Sequence, residues 1–337
     1  MTKLRILVTG GAGYIGSHTN RVLADRGHRV IVLDRVPVPD PGLVGAARTV
    51  VGDAGDPRVL DDVFASESFD AVIHLAGDKA ADESMQDPGR YFTNNVGTTI
   101  ALVDAMARAG VAPIVFSSSC AVYGSPADLP VTEQAPLQPE TPYGASKAMA
   151  EDVLRWFGRT KGLRWMALRY FNAAGADEAA RFGERLSTAR NLIPNVMKAA
   201  LGLDVLTVNG TDFPTPDGTA VRDYVHVLDL ADVHVRAVEH LLAGREPEAI
   251  NIGTGRGASV REVIALTREV SGRSVAIIEG PRRPGDPVAQ WADNTRAKEV
   301  LGWQPRHGLR EIVGTAWRWH EAEAERSAAD RREPPQG

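Results

Sequence analysis

Leu4-Arg-Ile-Leu-Val-Thr9-Gly10-Gly11-Ala12-Gly13-Tyr14-Ile15-Gly16 opens the chain with an apolar run that breaks into a glycine-rich turn and continues as a helical stretch. Gly11, Gly13 and Gly16 have the dinucleotide-binding spacing, in the strand-to-helix context that gives the spacing meaning. Without side chains the loop turns tightly and lets a pyrophosphate approach the backbone, where free N–H groups at the helix N-terminus meet its charge. Asp34 stands 18 residues beyond Gly16, at the end of the next strand. A carboxylate there accepts hydrogen bonds from adenosine ribose hydroxyls and repels an added 2′-phosphate, which favours NAD over NADP. Arg35 pulls the other way, because a guanidinium accommodates that phosphate. Asp53, in Val51-Gly52-Asp53 after a third strand, either touches the adenine edge or closes a strand-end turn.

Outward from this loop, short apolar runs alternate with amphipathic stretches. Leu4 to Thr9, Val30 to Leu33, Ala71 to Leu75, Ile114 to Ser118 and Met166 to Tyr170 are the strand candidates. The alternation predicts an α/β fold, a Rossmann-type doubly wound parallel sheet with helices on both faces, and the uninterrupted apolar strands suit burial on both sides. After Phe171 the composition turns to Gly, Ala and Arg as far as Arg190, then a helix is expected over Ile193 to Leu201 and a Pro- and Gly-rich passage follows from Asn209 to Gly218. Ala249 to Ile252 is expected to rejoin the sheet, ahead of a helix over Val260 to Val270 and a strand at Val275 to Ile278. The expected division is a cofactor domain of residues 1–173 plus about 225–252, and a smaller discontinuous lobe of about 174–224 plus 253–323. The stretch from about Glu323, and residues 324–337 in particular, lacks apolar periodicity and reads as a frayed tail.

The 337 residues are 43% hydrophobic and 24% charged, enough to bury a sizeable core. No run approaches the ~18 apolar residues of a membrane span, and the start leads straight into a strand, so no signal peptide is expected. Cys120 is the only cysteine, which excludes an intrachain disulfide and suits a reducing compartment, the cytoplasm by default. A net charge of −5 argues against a nucleic-acid partner. His18, His28 and His74 lack metal-ligand spacing and are expected in helix, loop and strand, so no metal is predicted. Trp303, Trp317 and Trp319 are expected to pack the C-terminal lobe.

Chemistry is signalled by Tyr143-Gly-Ala-Ser-Lys147, which follows Pro142 at a helix start and puts Tyr143 and Lys147 on one face. A phenol of pKa about 10 is a poor base at neutral pH, and a nearby ammonium is expected to favour its phenolate. Upstream, Phe116-Ser117-Ser118-Ser119-Cys120-Ala121-Val122-Tyr123-Gly124 ends a strand at its carboxyl edge, where ligands bind in this architecture. Ser119 is thereby placed to donate to the same substrate oxygen. A small buried thiol is the expected state of Cys120.

These residues resemble the extended short-chain dehydrogenase/reductase family, whose triad is Ser/Thr, Tyr and Lys. Further stretches are similar to its UDP-glucose 4-epimerase members: His74-Leu-Ala-Gly-Asp-Lys79, Asn94-Asn95-Val96, Arg169-Tyr170-Phe171-Asn172, Gly210 to His226, and Arg283-Pro-Gly-Asp286. The resemblance implies NAD-dependent inversion of a hydroxyl-bearing carbon on a nucleotide sugar, with Ser119, Tyr143 and Lys147 catalytic. For the cofactor it implies, with the glycine loop, Gly10, Gly11, Gly13, Tyr14, Ile15, Gly16, Asp34, Arg35, Asp53, Ala54, Leu75, Ala76, Gly77, Lys79, Asn94, Ser117, Tyr143, Lys147 and Tyr170. For the substrate it implies Lys79, Ser119, Tyr143, Phe171, Asn172, Asn191, Leu192, Arg222, Tyr224, Arg283, Asp286 and Gln290. Arg222 and Arg283 would clamp the diphosphate, since a planar guanidinium offers paired donors to phosphate oxygens, and Asp286 would hold the nucleoside ribose. A homodimer through the helices near Val96 to Arg108 and Tyr143 to Phe157 is implied as well.

Four departures stand out. Ser119 and Tyr143 are 24 residues apart, one fewer than expected. Asp34-Arg-Val-Pro-Val-Pro replaces an Asn-rich continuation, the segment from Gly175 to Asn191 is compressed, and Gln290 stands where a large aromatic restricts the sugar to hexoses and a small residue admits N-acetyl sugars. A nucleotide-sugar 4,6-dehydratase shares the fold and the Tyr/Lys pair, but an Asp-Glu pair follows its Ser/Thr where this chain has Cys120-Ala121. A non-catalytic NAD sensor on the same fold is under no requirement to keep Ser119, Tyr143 and Lys147 together.

Overall fold

Ile6 and Val8 point to one face of the first strand and Leu7 to the other, and all three are fully buried. That period-two burial on both faces recurs in the neighbouring strands: Val30 and Val32 against Ile31 and Leu33, Val115 against Ile114 and Phe116. A computed structural model of the chain describes residues 3–188, 190–283 and 285–330. In it the elements run β1 (Arg5–Thr9), α1 (Tyr14–Asp25), β2 (Arg29–Asp34), β3 (Arg48–Val51), α2 (Pro57–Ser66), β4 (Ala71–His74), α3 (Ala81–Gln86), α4 (Pro88–Tyr91), α5 (Thr98–Ala109), β5 (Pro113–Ser119), α6 (Pro142–Lys161) and β6 (Arg164–Tyr170). There follow β7 (Asn172–Ala174), α7 (Leu192–Ala200), β8 (Leu206–Asn209), β9 (Val221–Arg222), β10 (Tyr224–His226), α8 (Val227–Leu242), β11 (Glu248–Ile252), β12 (Ala258–Ser259), α9 (Val260–Ser271), β13 (Ile277–Gly280), β14 (Ala289–Gln290), α10 (Thr295–Leu301) and α11 (Leu309–Asp330).

Seven parallel strands form one sheet in the order β11-β6-β5-β4-β1-β2-β3. The order reverses between β1 and β4, which opens a crevice at their carboxyl ends. As expected, the segment at Ala249 to Ile252 rejoins the sheet, where β11 pairs with β6 in the register Ile250 to Leu168. A separate apolar cluster collects Ile193, Val196 and Met197 of α7, Leu206 and Val208 of β8, Val263 and Ile264 of α9, and Ile312, Val313 and Trp317 of α11. The strand expected at Val275 to Ile278 forms two residues later, as β13 paired with β8.

Two expectations are corrected. The tail does not fray at Glu323, for α11 continues to Asp330, and residues 331–337 lie outside the described residues. The helix is anchored upstream by buried Ile312, Ala316, Trp319 and His320, and its Ala- and Glu-rich extension propagates a turn already nucleated. Trp303 does not join the C-terminal cluster; it packs with the sheet's first cluster, and its indole N–H donates to Asp229 O at 3.0 Å. Trp317 does belong to the C-terminal cluster, and Trp319 donates to Glu184 O at 2.8 Å.

The three singled-out histidines sit in helix, loop and strand as expected. His74 is bonded through both ring nitrogens, to Thr9 Oγ1 at 2.7 Å and Thr99 Oγ1 at 3.2 Å, and burial pushes it down to about 3. Burial lowers His18 and His234 to about 4 and His226 to about 3. Among the described residues no cluster of His, Cys, Asp or Glu is arranged to hold a metal, and no helix is long and apolar enough to cross a membrane.

Candidate active site

The glycine loop is packed too closely for side chains. A methyl at Gly16 would lie 2.5 Å from Gly10 O, and one at Gly10, whose φ is 73°, would lie 2.5 Å from Ala76 N. The loop is thereby pressed against Leu75 and Ala76, just past the end of β4, the other side of the crevice. Gly13 caps α1 without any side-chain hydrogen bond, so the N–H groups of Tyr14, Ile15 and Gly16 are left for a ligand. Asp34 Oδ2 accepts from Ala12 N at 2.9 Å, which fixes the carboxylate beside the loop. Arg35 is drawn to Asp53 at 3.1 Å, so the guanidinium that argued for a 2′-phosphate is already engaged. Asp53 also accepts from Gly55 N at 2.7 Å, the turn-closing role left open by the sequence, and Ala54 is buried behind it. An uncapped helix end, a side-chain-free cradle and a carboxylate at the adjoining strand end fit a dinucleotide such as NAD.

On the far side, Phe92–Gly97 forms a π-helical turn between α4 and α5, a device frequent at functional sites. It turns Asn94 and Asn95 toward the loop after β4: Asn94 Nδ2 donates to Asp78 Oδ2 at 2.7 Å, and Asn95 accepts from Asp78 N at 2.8 Å while donating to Ser146 Oγ at 2.9 Å. Lys79 is paired with Glu184 at 2.8 Å, and Arg190 with Glu83 at 2.7 Å. These two ion pairs run across the crevice between the segment after β4 and the compressed stretch ahead of α7. Tyr14 reaches over it too, donating to Gly175 O at 2.6 Å.

Thr141 caps α6 by accepting from Gly144 N at 3.1 Å, with Pro142 in the first turn. This start fixes Tyr143 and Lys147 one turn apart, facing the end of β5. Lys147 Nζ donates to Ser117 O at 2.8 Å, and Tyr170 donates to Ser117 Oγ. Burial pushes the Tyr143 phenol up to about 12, opposed by a hydrogen bond with the Ser119 hydroxyl. The expected lowering of the phenol by Lys147 is therefore not what the structure displays. The ammonium is directed at a carbonyl, 5.9 Å from the phenol ring centre, and burial lowers it to about 8. Desolvation also lifts the thiol of Cys120 to about 12, which keeps it protonated, although the residue is half-buried rather than fully buried as expected.

At the substrate end, Arg222 donates to Asp286 and to Val221 O at 2.8 Å, and Arg283 donates through Nε (3.0 Å) and Nη2 (2.9 Å) to the side-chain amide oxygen of Asn209. Asn172 Nδ2 donates to Asp223 O at 3.1 Å, and Asp223 itself gathers Thr254 N, Gly255 N and Ala292 N. Tyr224 and Phe171 are buried, Asn191 caps α7 and Leu192 begins it. Gln290 is 5% exposed and donates to Cys120 O and Gly124 O, each at 3.3 Å, tying β14 to the turn after Ser119. The supporting residues Asp78, Asn95, Glu184 and Asp223 received no role from the sequence; Lys79 and Glu184 are 105 positions apart, and no local pattern pairs them. A recess lined by Phe64, Phe69 and Val111 lies at the amino ends of β4 and β5, remote from these groups.

A dinucleotide crevice with a serine, a tyrosine and a lysine gathered at its inner end defines a Rossmann-type enzyme. Residues 6–253 match the NAD dependent epimerase/dehydratase family. The chain is 46% identical over 318 residues to the UDP-glucose 4-epimerase of Azospirillum brasilense, covering 94% of this chain and 91% of that one. It is 42% identical to that of Halalkalibacterium halodurans, covering 94% and 96%. The crystal structure of UDP-glucose 4-epimerase from Brucella ovis in complex with NAD superposes with a TM-score of 0.90 at 44% identity, covering 94% and 98%. The enzyme from Stenotrophomonas maltophila with bound NAD and formylated UDP-arabinopyranose does so at 0.92 and 39%, covering 96% and 99%. The chain belongs to the NAD dependent epimerase/dehydratase family and, within it, to the nucleotide-sugar 4-epimerases, isomerases that work with NAD.

Proposed function

We propose that the substrate is a UDP-linked hexose of the glucose and galactose pair, and that Tyr143 is the base and acid of its inversion at C4. The observation that carries this reading is the meeting of Tyr143 and Lys147 on the first turns of α6 with Ser119 at the end of β5, against the crevice. The glycine loop and Asp34 would hold NAD, which would supply a hydride acceptor and donor for C4. Tyr143 takes the C4 hydroxyl proton as the C–H bond breaks and gives it back to the ketone oxygen when the hydride returns, so no net oxidant is consumed. Ser119 donates to the same oxygen and keeps it beside the phenol. Lys147, held by Ser117 O, places its cation on the tyrosine's side of the crevice. Arg222, Asp286 and Arg283 converge as the nucleotide-diphosphate end. Arg222, paired with Asp286 in the free site, would exchange that carboxylate for phosphate and leave Asp286 for the ribose hydroxyls.

Gln290 favours keeping a second sugar class in view. Its amide is spent on two backbone carbonyls, so it neither fills the pocket as an aromatic ring would nor vacates it as a small residue would, and an N-acetylhexosamine is the alternative substrate. The proposed assembly is a homodimer through α5 and α6, supported by exposed Ile100, Met149 and Trp156 on those helices, and the proposed compartment is the cytoplasm.

The test is to incubate the purified protein, without added NAD, with UDP-galactose, UDP-N-acetylgalactosamine, UDP-glucuronate and TDP-glucose separately. The 4-epimer should form from UDP-galactose, and deuterium at C4 should be retained at C4. Deuterium lost to solvent would sink the hydride account, and inactivity on every sugar would favour the NAD sensor.

A further inference from the structure

Glu151 is fully buried on α6, two helical turns beyond Tyr143 and one beyond Lys147, and the chemistry above leaves it unused. Its carboxylate is saturated. Oε1 accepts from Ser118 Oγ at 2.6 Å and Arg169 Nε at 2.8 Å, while Oε2 accepts from Arg169 Nη2 at 2.6 Å and Arg155 Nη2 at 3.1 Å. The network runs on through Arg169 Nη1 to Tyr123 Oη at 2.8 Å, from Tyr123 Oη to Asn251 Oδ1 at 2.7 Å, and from Asn251 Nδ2 to Val131 O at 2.9 Å. Ser118 and Asn251 are also wholly buried, and Arg169 is 3% exposed.

A buried ion pair is poor evidence of stabilisation, since well-packed apolar residues of the same volume commonly serve as well or better. What this one does is geometric. Ser118 joins the residue whose carbonyl holds Lys147 to the residue whose hydroxyl meets Tyr143, and its own hydroxyl is fastened to the helix that carries both. Arg169 adjoins Tyr170, which is bonded to Ser117, so β6 is fastened through the same carboxylate. We propose that Glu151, with Ser118 and Arg169, is a positioning group that fixes the register of β5 against α6 and so sets the contact between Ser119 and Tyr143. This rests on the assignment of Ser119, Tyr143 and Lys147 above.

The groups facing the phenol are Ser119, Lys147 of the same helix, Cys120, Tyr91 and Tyr170. Of these, the Ser119 hydroxyl lowers the phenol's pKa by hydrogen bonding. Loosening Ser119 therefore raises the pH at which the base forms. Ser118→Ala removes one hydroxyl and leaves the Glu151–Arg169 pair intact. It should lower kcat about tenfold, as expected for a small misplacement of reacting groups, with KM for UDP-galactose within about twofold. The ascending limb of the kcat–pH profile should move to higher pH, with bound NAD and Tm near wild type. Ser118→Cys, nearly isosteric but a weak donor, should shift the limb in the same direction by less, and it carries the test alone if the alanine variant does not fold. Wild-type kcat and an unmoved limb in the variant that folds would overturn the proposal, as would a loss of kcat in proportion to lost NAD or Tm. Tyr143→Phe is run beside them. If it retains turnover, the assignment of the base fails; if it is dead while the Ser118 variants are unaffected, only the positioning role fails.

Discussion

Tyr143→Phe should reduce kcat by at least about a thousandfold while leaving the melting temperature and the bound NAD close to wild type. Proton transfer by a positioned side chain contributes roughly 10²–10⁴-fold to a rate, and here the same phenol serves both the removal and the return of the proton, so little residual route remains. The ring itself is retained: it packs edge-on to Tyr91 at 6.4 Å and beneath the Lys147 ammonium. The loss is one hydroxyl facing Ser119, and a phenol lifted to about 12 by burial carries no charge at neutral pH whose removal would disturb the fold. Turnover of UDP-galactose, the absorbance of the co-purified cofactor and a melting curve measure the three quantities together. A variant within tenfold of wild-type kcat would remove Tyr143 from the chemistry.

Lys147→Met separates catalysis from stability more sharply. Activity should fall by about three orders of magnitude, and bound NAD should fall with it, whereas the melting temperature at pH 7 should hold or rise. Burial is the only cause acting on the lysine, and it lowers the folded-state pKa to about 8 from an unfolded value near 10.4. Between those values the unfolded chain binds the proton and the folded one does not. The burial cost is therefore fully present below about pH 8 and is relieved as pH rises to about 10.4. A methionine of similar length carries no such cost, although it surrenders the bond to Ser117 O. Thermal unfolding at pH 7 and pH 10 checks the sign: the variant's advantage over wild type should shrink at the higher pH. A fall of many degrees at pH 7 would show that the lysine's bond to β5 outweighs its desolvation.

Much of this architecture was legible because it is local. The run from Leu4 to Gly16 contains both the strand and the turn, and the apolar runs at Val30, Ala71, Ile114 and Met166 announce a sheet buried on both faces. β11 was legible for the same reason. The short strands β7, β9, β10, β12 and β14 were not, because two or three residues show no periodicity and their pairings join distant parts of the chain. Tyr143, Lys147 and Ser119 were legible as a motif, and the structure brings them together. Their electrostatics were not, since a spacing of four says which side chains share a helix face but not that Lys147 would turn to Ser117 O. Glu151 is invisible in sequence for a related reason: its partners Ser118 and Arg169 lie 33 and 18 residues away on two different strands. The tail misled because the sequence after Glu323 has no apolar stripe, while the buried residues that anchor the helix, from Ile312 to His320, all lie upstream of it.

The imidazoles of His18, His74, His226 and His234, buried in and around the sheet, are held neutral down to about pH 3 or 4. Released into water, each would take up a proton near pH 6.5. Acidification therefore rewards the unravelled chain with up to four protons that the native one refuses. Between the two ranges the loss steepens toward about 5 kcal/mol for each pH unit, from these rings alone. Through these four rings, acid favours the unfolded chain.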